Sequence, residues 1–199
     1  MIIPDLLILG LICYTIGSIP SGFLISKIFK KNDPRSSGSR NIGATNIARL
    51  HGWKLGFITL IFDISKALIP LNFLIEDKKY VVIIICSAFI FLGHLFPVWL
   101  KFKGGKGIAV FIGILFYISN VYALLFLSVW LIVFLISKYS SLSALIATLI
   151  VLITIIIKEN NYLSFLILFF TLLIFLKHKD NILRLIKGIE EKIEINSKK

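Results

Sequence analysis

Three short polar stretches hold the side chains that can do chemistry in this chain. They read GSRNIGATNIAR (38–49), KFKGGKG (101–107) and KHKDNILR (177–184). In the first, Gly38 and Gly43 permit a tight backbone, and Ser39, Asn41, Thr45 and Asn46 supply neutral hydrogen-bonding groups. Arg49 beside them can clamp an oxyanion through two parallel N–H bonds. Such a set suits a phosphate or a carboxylate; the plainer reading is a turn entering a helix with Thr45 or Asn46 as its cap. In the second, Gly104, Gly105 and Gly107 let the backbone curl just before an apolar helix. Backbone N–H groups at a helix start attract anions, and Lys101, Lys103 and Lys106 add charge. Phosphate is the natural ligand, although a basic interfacial loop with a glycine turn would read the same. It is not a P-loop: no glycine stands five residues before Gly105, and Ile108 takes the Ser/Thr position. In the third, His178 and Asn181 are three apart, on one face of a helix. His178 is the histidine best placed for acid–base work, while His51 and His94 read as interfacial packing residues.

The elements that must position these stretches are oily. Of 199 residues, 58% are hydrophobic, too many for a soluble domain of this size to bury. The pattern predicts an all-α, polytopic membrane bundle of about seven transmembrane helices, forming one domain over 1–199. The expected apolar segments are 2–29, 53–75, 80–100, 108–118, 121–137, 142–157 and 162–176. The three motif loops then occupy 30–52, 101–107 and 177–190. A tail helix over 181–195 is expected to be amphipathic, with Ile182, Leu185, Ile186, Ile189 and Ile193 at helical spacing.

The basic residues orient the bundle. If the loop after the first segment is inside, Lys30, Lys31, Arg35, Arg40, Arg49, Lys101, Lys103, Lys106 and Lys138 fall there, as does the basic tail. The opposite face receives Lys78, Lys79 and Lys158, with acids beside them. This asymmetry places the amino terminus outside and the carboxyl terminus in the cytoplasm. It also accounts for the net charge of +12 through topology and anionic lipid, with no need for nucleic acid. All three polar stretches are thereby expected at one membrane face.

Other features read as structural. GSIPSG (17–22) puts Pro20 inside the first span, with small residues for a kink and close packing. Asp63 and Lys66 lie three apart inside the second and are expected to pair with each other or with the polar loops. Cys13 and Cys86 sit in apolar runs as small hydrophobes. The first run has Asp5 where a signal peptide would have a basic region, which argues against cleavage. No metal cluster is visible.

Taken together, GSIPSG, GSRNIGATNIAR, FDISKA, GHLFPVWLKFKGGKG and KHKDNILRLIKGIE resemble the bacterial acyl-phosphate:glycerol-3-phosphate acyltransferases, the PlsY family, over nearly the whole chain. The resemblance implies a seven-helix enzyme of the bacterial inner membrane with its motifs on the cytoplasmic side. Its implied reaction moves a fatty acyl group from acyl phosphate to the 1-hydroxyl of sn-glycerol 3-phosphate, without a cofactor or an obligate protein partner. It implies that Ser39, Arg49, Lys106, His178 and Asn181 bind glycerol 3-phosphate and line the reaction centre. Asn41, Gly43, Thr45, Asn46, Lys103, Gly104, Gly105 and Gly107 would hold the acyl phosphate headgroup, and Glu190 would be structural. The chain departs from the family pattern at Arg40 and Ala67, where glycine is usual, and at Val110, where threonine is usual. An acyltransferase of the His-x₄-Asp type is excluded, because Gly56, Trp99 and Leu183 stand five residues after the histidines. A phosphate or organophosphate transporter is the alternative from another class. Polar residues gathered at one face and the lack of an internal repeat weigh against it.

Overall fold

Helices form in each of the seven expected apolar segments, in a computed structural model that describes residues 3–75, 80–159 and 161–193. The polar connection 76–79, with Lys78 and Lys79, and the tail from 194 onward lie outside the described residues. Among these residues every regular element is helical: α1 (Ile3–Gly17), α2 (Ser21–Ile28), α3 (Ala44–His51), α4 (Trp53–Leu74), α5 (Tyr80–Leu95), α6 (Ile108–Ile118), α7 (Asn120–Ser137), α8 (Ser140–Lys158), α9 (Asn161–Lys177) and α10 (Lys179–Ile186). The chain divides into two compact units, Met1–Ser119 and Asn120–Lys199.

Among the described residues four helices are long and apolar enough to cross a membrane, and two more spans arise if the bent pairs α1–α2 and α9–α10 are each counted once. The bends are 41° and 61°. At about 1.5 Å per residue, the 11-residue α6 is short for a hydrocarbon core of about 30 Å. Large apolar side chains such as Leu11, Phe57, Phe73, Ile136 and Ile157 are exposed, as lipid-facing positions require. Buried threonine hydroxyls bond within their own helices, Thr59 to the Leu55 carbonyl, Thr148 to Ala144 and Thr171 to Ile167. That satisfies them where water is absent.

In the amino-terminal unit, small residues set the helix distances. A Cβ at Gly17 would lie 2.2 Å from the Ile90 carbonyl oxygen, and one at Gly93 would lie 2.3 Å from that of Tyr14, so α1 and α5 touch through backbone. Gly113 seats α6 on α4, where a Cβ would lie 2.4 Å from the Ile64 oxygen. The helix breaks across Ser18–Pro20, the kink that Pro20 predicts. In the carboxy-terminal unit, α8 packs against α7 and α9, and α10 contacts both α8 and α9.

Three expectations need correction. The loop 30–52 is not all loop, because Ala44–His51 is helical. Its contact with α4 explains this: Gly56 lets Ala44 and Ala48 lie directly on α4, so packing rather than propensity stabilises a helix of eight residues, half of them polar. The third apolar segment is helical only to Leu95. Pro97 stops it, a 3₁₀ turn follows at Val98–Leu100, and Lys101 and Phe102 both take positive φ. The tail helix ends at Ile186 rather than running through 195. Gly188, at φ +68°, turns the chain back, and the Ile193 N–H then bonds the Lys138 carbonyl.

Arg40 occupies a left-handed conformation at φ +56°, at the position where the family resemblance expects glycine. A side chain there is strained by about 1 kcal/mol. Arg40→Gly is therefore expected to raise the unfolding midpoint in detergent, by a stabilisation of about 1 kcal/mol. A lowered midpoint would show that the guanidinium makes a compensating contact.

Candidate functional site

The first polar stretch is knotted around one side chain. Asn46, buried at the third position of α3, accepts the Ser39 N–H at 2.9 Å and donates to the carbonyls of Pro34 at 2.9 Å and Asn41 at 2.8 Å. Only an amide has both the acceptor and the donors this requires. Asn46 therefore shapes the loop and is not a helix cap. The N-cap is Gly43, in an extended conformation and with no side chain of its own to cap the helix. Gly38, at φ +59°, lies so close beneath Asn46 that a Cβ would approach Oδ1 to 2.4 Å. With the loop fixed in this way, Ser39 and Asn41 are half-buried, and Thr45 and Arg49 are exposed, four residues apart on one face of α3. Nearby, Asp33 and Arg35 form a surface ion pair at 2.6 Å. The guanidinium holds the Asp33 carboxyl below its ordinary range, a pairing worth little to stability at an exposed site.

The second stretch folds back onto the end of α5. The Gly104 N–H bonds the Leu95 carbonyl at 3.2 Å and the Gly105 N–H bonds that of His94 at 3.1 Å. These two N–H groups complete the end of α5 and are not turned outward as anion donors. The donors the loop could offer an anion are instead the first-turn N–H groups of α6, which have no intrahelical carbonyl to bond. Gly107, at φ +90°, is the N-cap that starts the helix. Lys103 is exposed and Lys106 half-exposed beside it.

Below this loop lies a buried polar cluster. Asp63 and Lys66 form an ion pair at 2.8 Å. Ser21 Oγ donates to Asp63 at 2.8 Å, and Lys66 Nζ donates to the Ile19 carbonyl at 2.8 Å. That carbonyl lies in the break between α1 and α2. Lys66 Nζ also lies 2.9 Å from His94 Nδ1. His94 is thus a buried member of this cluster rather than an interfacial packing residue; the reading missed it because its partner is 28 residues away.

In the carboxy-terminal unit, His178 stands at the bend between α9 and α10 and is buried. Its Nδ1 lies 2.8 Å from the Ile174 carbonyl. A carbonyl only accepts, so Nδ1 carries a proton. Asn181, also buried, donates to Glu190 Oε1 at 2.6 Å. The same carboxylate receives Ser141 Oγ at 2.6 Å and Arg184 Nε at 2.7 Å. Glu190 thereby fixes the orientation of the Asn181 amide and fastens the returning tail to α8.

Burial alone would raise the Glu190 pKa, but the bonds from Ser141, Asn181 and Arg184 outweigh it and hold the carboxyl below its ordinary range. A carboxyl depressed on folding stabilises fully above its unfolded pKa, about 4.3, and loses that contribution as pH falls through the folded value. Glu190→Gln is accordingly expected to lower the unfolding midpoint at pH 7. The gap from the parent protein should narrow as pH falls below about 4. Parallel melts across pH check this, and a gap that widens in acid would contradict it.

The structure therefore ties Ser39, Asn41 and Asn46 into one loop, seats Gly104 and Gly105 on His94, and joins Asn181 to Glu190. Comparison with known proteins gives this arrangement a context. A family model described as glycerol-3-phosphate acyltransferase matches residues 7–188. A glycerol-3-phosphate acyltransferase of Pelagibacter ubique is 48% identical over 96% of this chain and 99% of its own length. One of Bartonella henselae is 43% identical over 92% and 89%. Among solved structures, PlsY (YgiH), an integral membrane glycerol 3-phosphate acyltransferase, is similar in its glycerol 3-phosphate form. That likeness has a TM-score of 0.90 and 34% identity and covers 96% of each chain. Its lysophosphatidic acid form gives a TM-score of 0.88.

Proposed function

Because the chain belongs to the glycerol-3-phosphate acyltransferase family, we propose that it takes its fatty acyl group from acyl phosphate and places it on the 1-hydroxyl of sn-glycerol 3-phosphate. The observation that carries this reading is the likeness, over nearly the full length, to an enzyme solved in both glycerol 3-phosphate and lysophosphatidic acid forms. The products are 1-acyl-glycerol 3-phosphate and inorganic phosphate, which makes this an early acylation in phospholipid synthesis.

Both substrates carry phosphate, so the enzyme must hold two anions at once. In the amino-terminal unit we assign Ser39, Arg49 and Lys106 to glycerol 3-phosphate. Asn41, Gly43, Thr45, Lys103 and the turn of Gly104, Gly105 and Gly107 are assigned to the acyl phosphate headgroup, with Asn46 holding the loop. Arginine, lysine and first-turn N–H groups offset the repulsion between the phosphates. In the carboxy-terminal unit His178 and Asn181 are assigned to glycerol 3-phosphate, and Glu190 to holding Asn181. Asp63 and Lys66 are assigned to the scaffold.

Acyl phosphate is a mixed anhydride with a good leaving group, so positioning and charge stabilisation carry most of the catalysis. The 1-hydroxyl oxygen attacks the acyl carbonyl carbon, an ester bond forms, and the bond from acyl carbon to phosphate oxygen breaks. The departing phosphate takes the hydroxyl proton, while His178 orients the acceptor. No covalent acyl-enzyme is needed.

The same reading makes the protein one acyltransferase domain of seven spans in the bacterial inner membrane, with α6 as a short span and α1–α2 and α9–α10 as bent ones. The amino terminus is outside, and the motifs face the cytoplasm with the lysine and arginine excess. The reaction is tested by incubating purified protein in lipid with acyl phosphate and radiolabelled glycerol 3-phosphate. Lysophosphatidic acid and phosphate released in equal amounts are expected. Phosphate released without labelled lipid would mean hydrolysis and defeat the proposal.

A further inference from the structure

We propose that His94 is a positioning residue for the glycine loop 104–107, and that Lys66 sets it as the Nε2–H tautomer. A lysine ammonium has three protons to donate and no acceptor. The three partners around Lys66 Nζ are Asp63 Oδ1 at 2.8 Å, the Ile19 carbonyl at 2.8 Å and His94 Nδ1 at 2.9 Å. Each therefore receives one proton, and His94 Nδ1 accepts. An imidazolium has no acceptor on either nitrogen and would set one cation against another here. The ring is neutral, and its single proton sits on Nε2.

That edge faces the loop. A Cβ built on Gly105 would come within 2.2 Å of His94 Nε2 and 2.6 Å of Cε1. The main chain of the same residue holds the loop from below, through the His94 carbonyl and the Gly105 N–H. The ring is 4% exposed, so its orientation is set by these neighbours and not by water. A line of buried contacts thus runs from the Asp63–Lys66 pair through an oriented imidazole to the backbone assigned above to acyl phosphate. The kinetic part of this inference rests on that assignment; the tautomer does not.

The test uses the full-length protein, labelled with ¹⁵N-histidine, in lipid nanodiscs. The chain has three histidines, and the His94 signals are identified by their loss in His94→Gln. The ring proton is expected on Nε2, with Lys66→Met shifting the signals toward Nδ1–H. In kinetics, His94→Gln keeps a side-chain donor and should hold the KM for acyl phosphate within about threefold. His94→Leu should raise that KM about tenfold, the scale of a lost buried hydrogen bond, and leave the KM for glycerol 3-phosphate within about twofold. A proton on Nδ1 in the parent protein overturns the proposal, as do equal rises in both KM values or an unchanged KM in His94→Leu. If His94→Leu does not fold, the parent tautomer and the His94→Gln constants decide. If the parent protein does not use acyl phosphate at all, the donor assignment fails, while the resonance measurement still judges His94.

Discussion

Replacing Asp63 by alanine is expected to destabilise the amino-terminal unit by about 3–5 kcal/mol, the usual penalty for removing one partner of a buried ion pair. The side chains of Lys66 and Asp63 are 6% and 3% exposed. Without the carboxylate, the ammonium keeps a carbonyl and an imidazole as partners but no countercharge, and Ser21 loses its acceptor. The effect belongs to the orphaned charge more than to the lost attraction, and a second variant separates the two. The double variant Asp63→Ala/Lys66→Met removes both charges and is expected to be more stable than Asp63→Ala alone. Chemical unfolding of both in detergent gives the answer. A double variant less stable than the single one would show that the pair is itself the dominant stabilising contact.

Gly104→Ala is expected to abolish activity more completely than Gly105→Ala or Gly43→Ala. Its Cβ would lie 2.1 Å from the His94 carbonyl oxygen, 2.4 Å from Pro97 Cδ and 2.9 Å from the Leu95 carbonyl carbon. All three belong to backbone or a proline ring and cannot swing away, so the loop must leave the end of α5. Overpacking of this kind costs about 1–3 kcal/mol or more, and the loop carries the groups assigned to the donor phosphate. At Gly105 a Cβ meets the His94 side chain, and rotation of the ring can relieve part of that clash. Gly43 supplies the contrast: its φ is −76° and a Cβ there meets nothing nearer than 3.4 Å. Gly43→Ala should fold like the parent, so any activity it loses reports on the ligand. Turnover and melting curves for the three variants check the order. A fully active Gly104→Ala would mean that the loop does not hold the conformation described.

How much of this was legible in the sequence depended on how local each cause was. Helix α6 was read to its ends because Gly107 precedes it and polar residues follow. The bend at Pro20 was legible for the same reason. Helix α3 was legible only as the plainer reading of its motif and with its cap two or three residues late, since its stability comes from Ala44 and Ala48 meeting Gly56 across the turn at Gly52. The tail helix was read too long because Ile189 and Ile193 keep helical spacing, whereas Glu190 bonds back to Asn181 and Ser141 and the chain must turn to let it. The spacing of Asp63 and Lys66 announced their pairing, but nothing local linked them to His94. The motif residues stood out because small polar groups and arginine are scarce in an oily chain. Their fixed partners, such as Asn46 with the loop backbone at Pro34, Ser39 and Asn41, needed coordinates.

The most direct measurement offers purified protein in lipid radiolabelled glycerol 3-phosphate with acyl phosphate or acyl-CoA, each separately, for the parent chain and for Arg49→Ala. The expected result is lysophosphatidic acid from acyl phosphate alone, with the product lost in a folded Arg49→Ala protein. Product from acyl-CoA alone, or undiminished product from Arg49→Ala, would contradict the donor or the site.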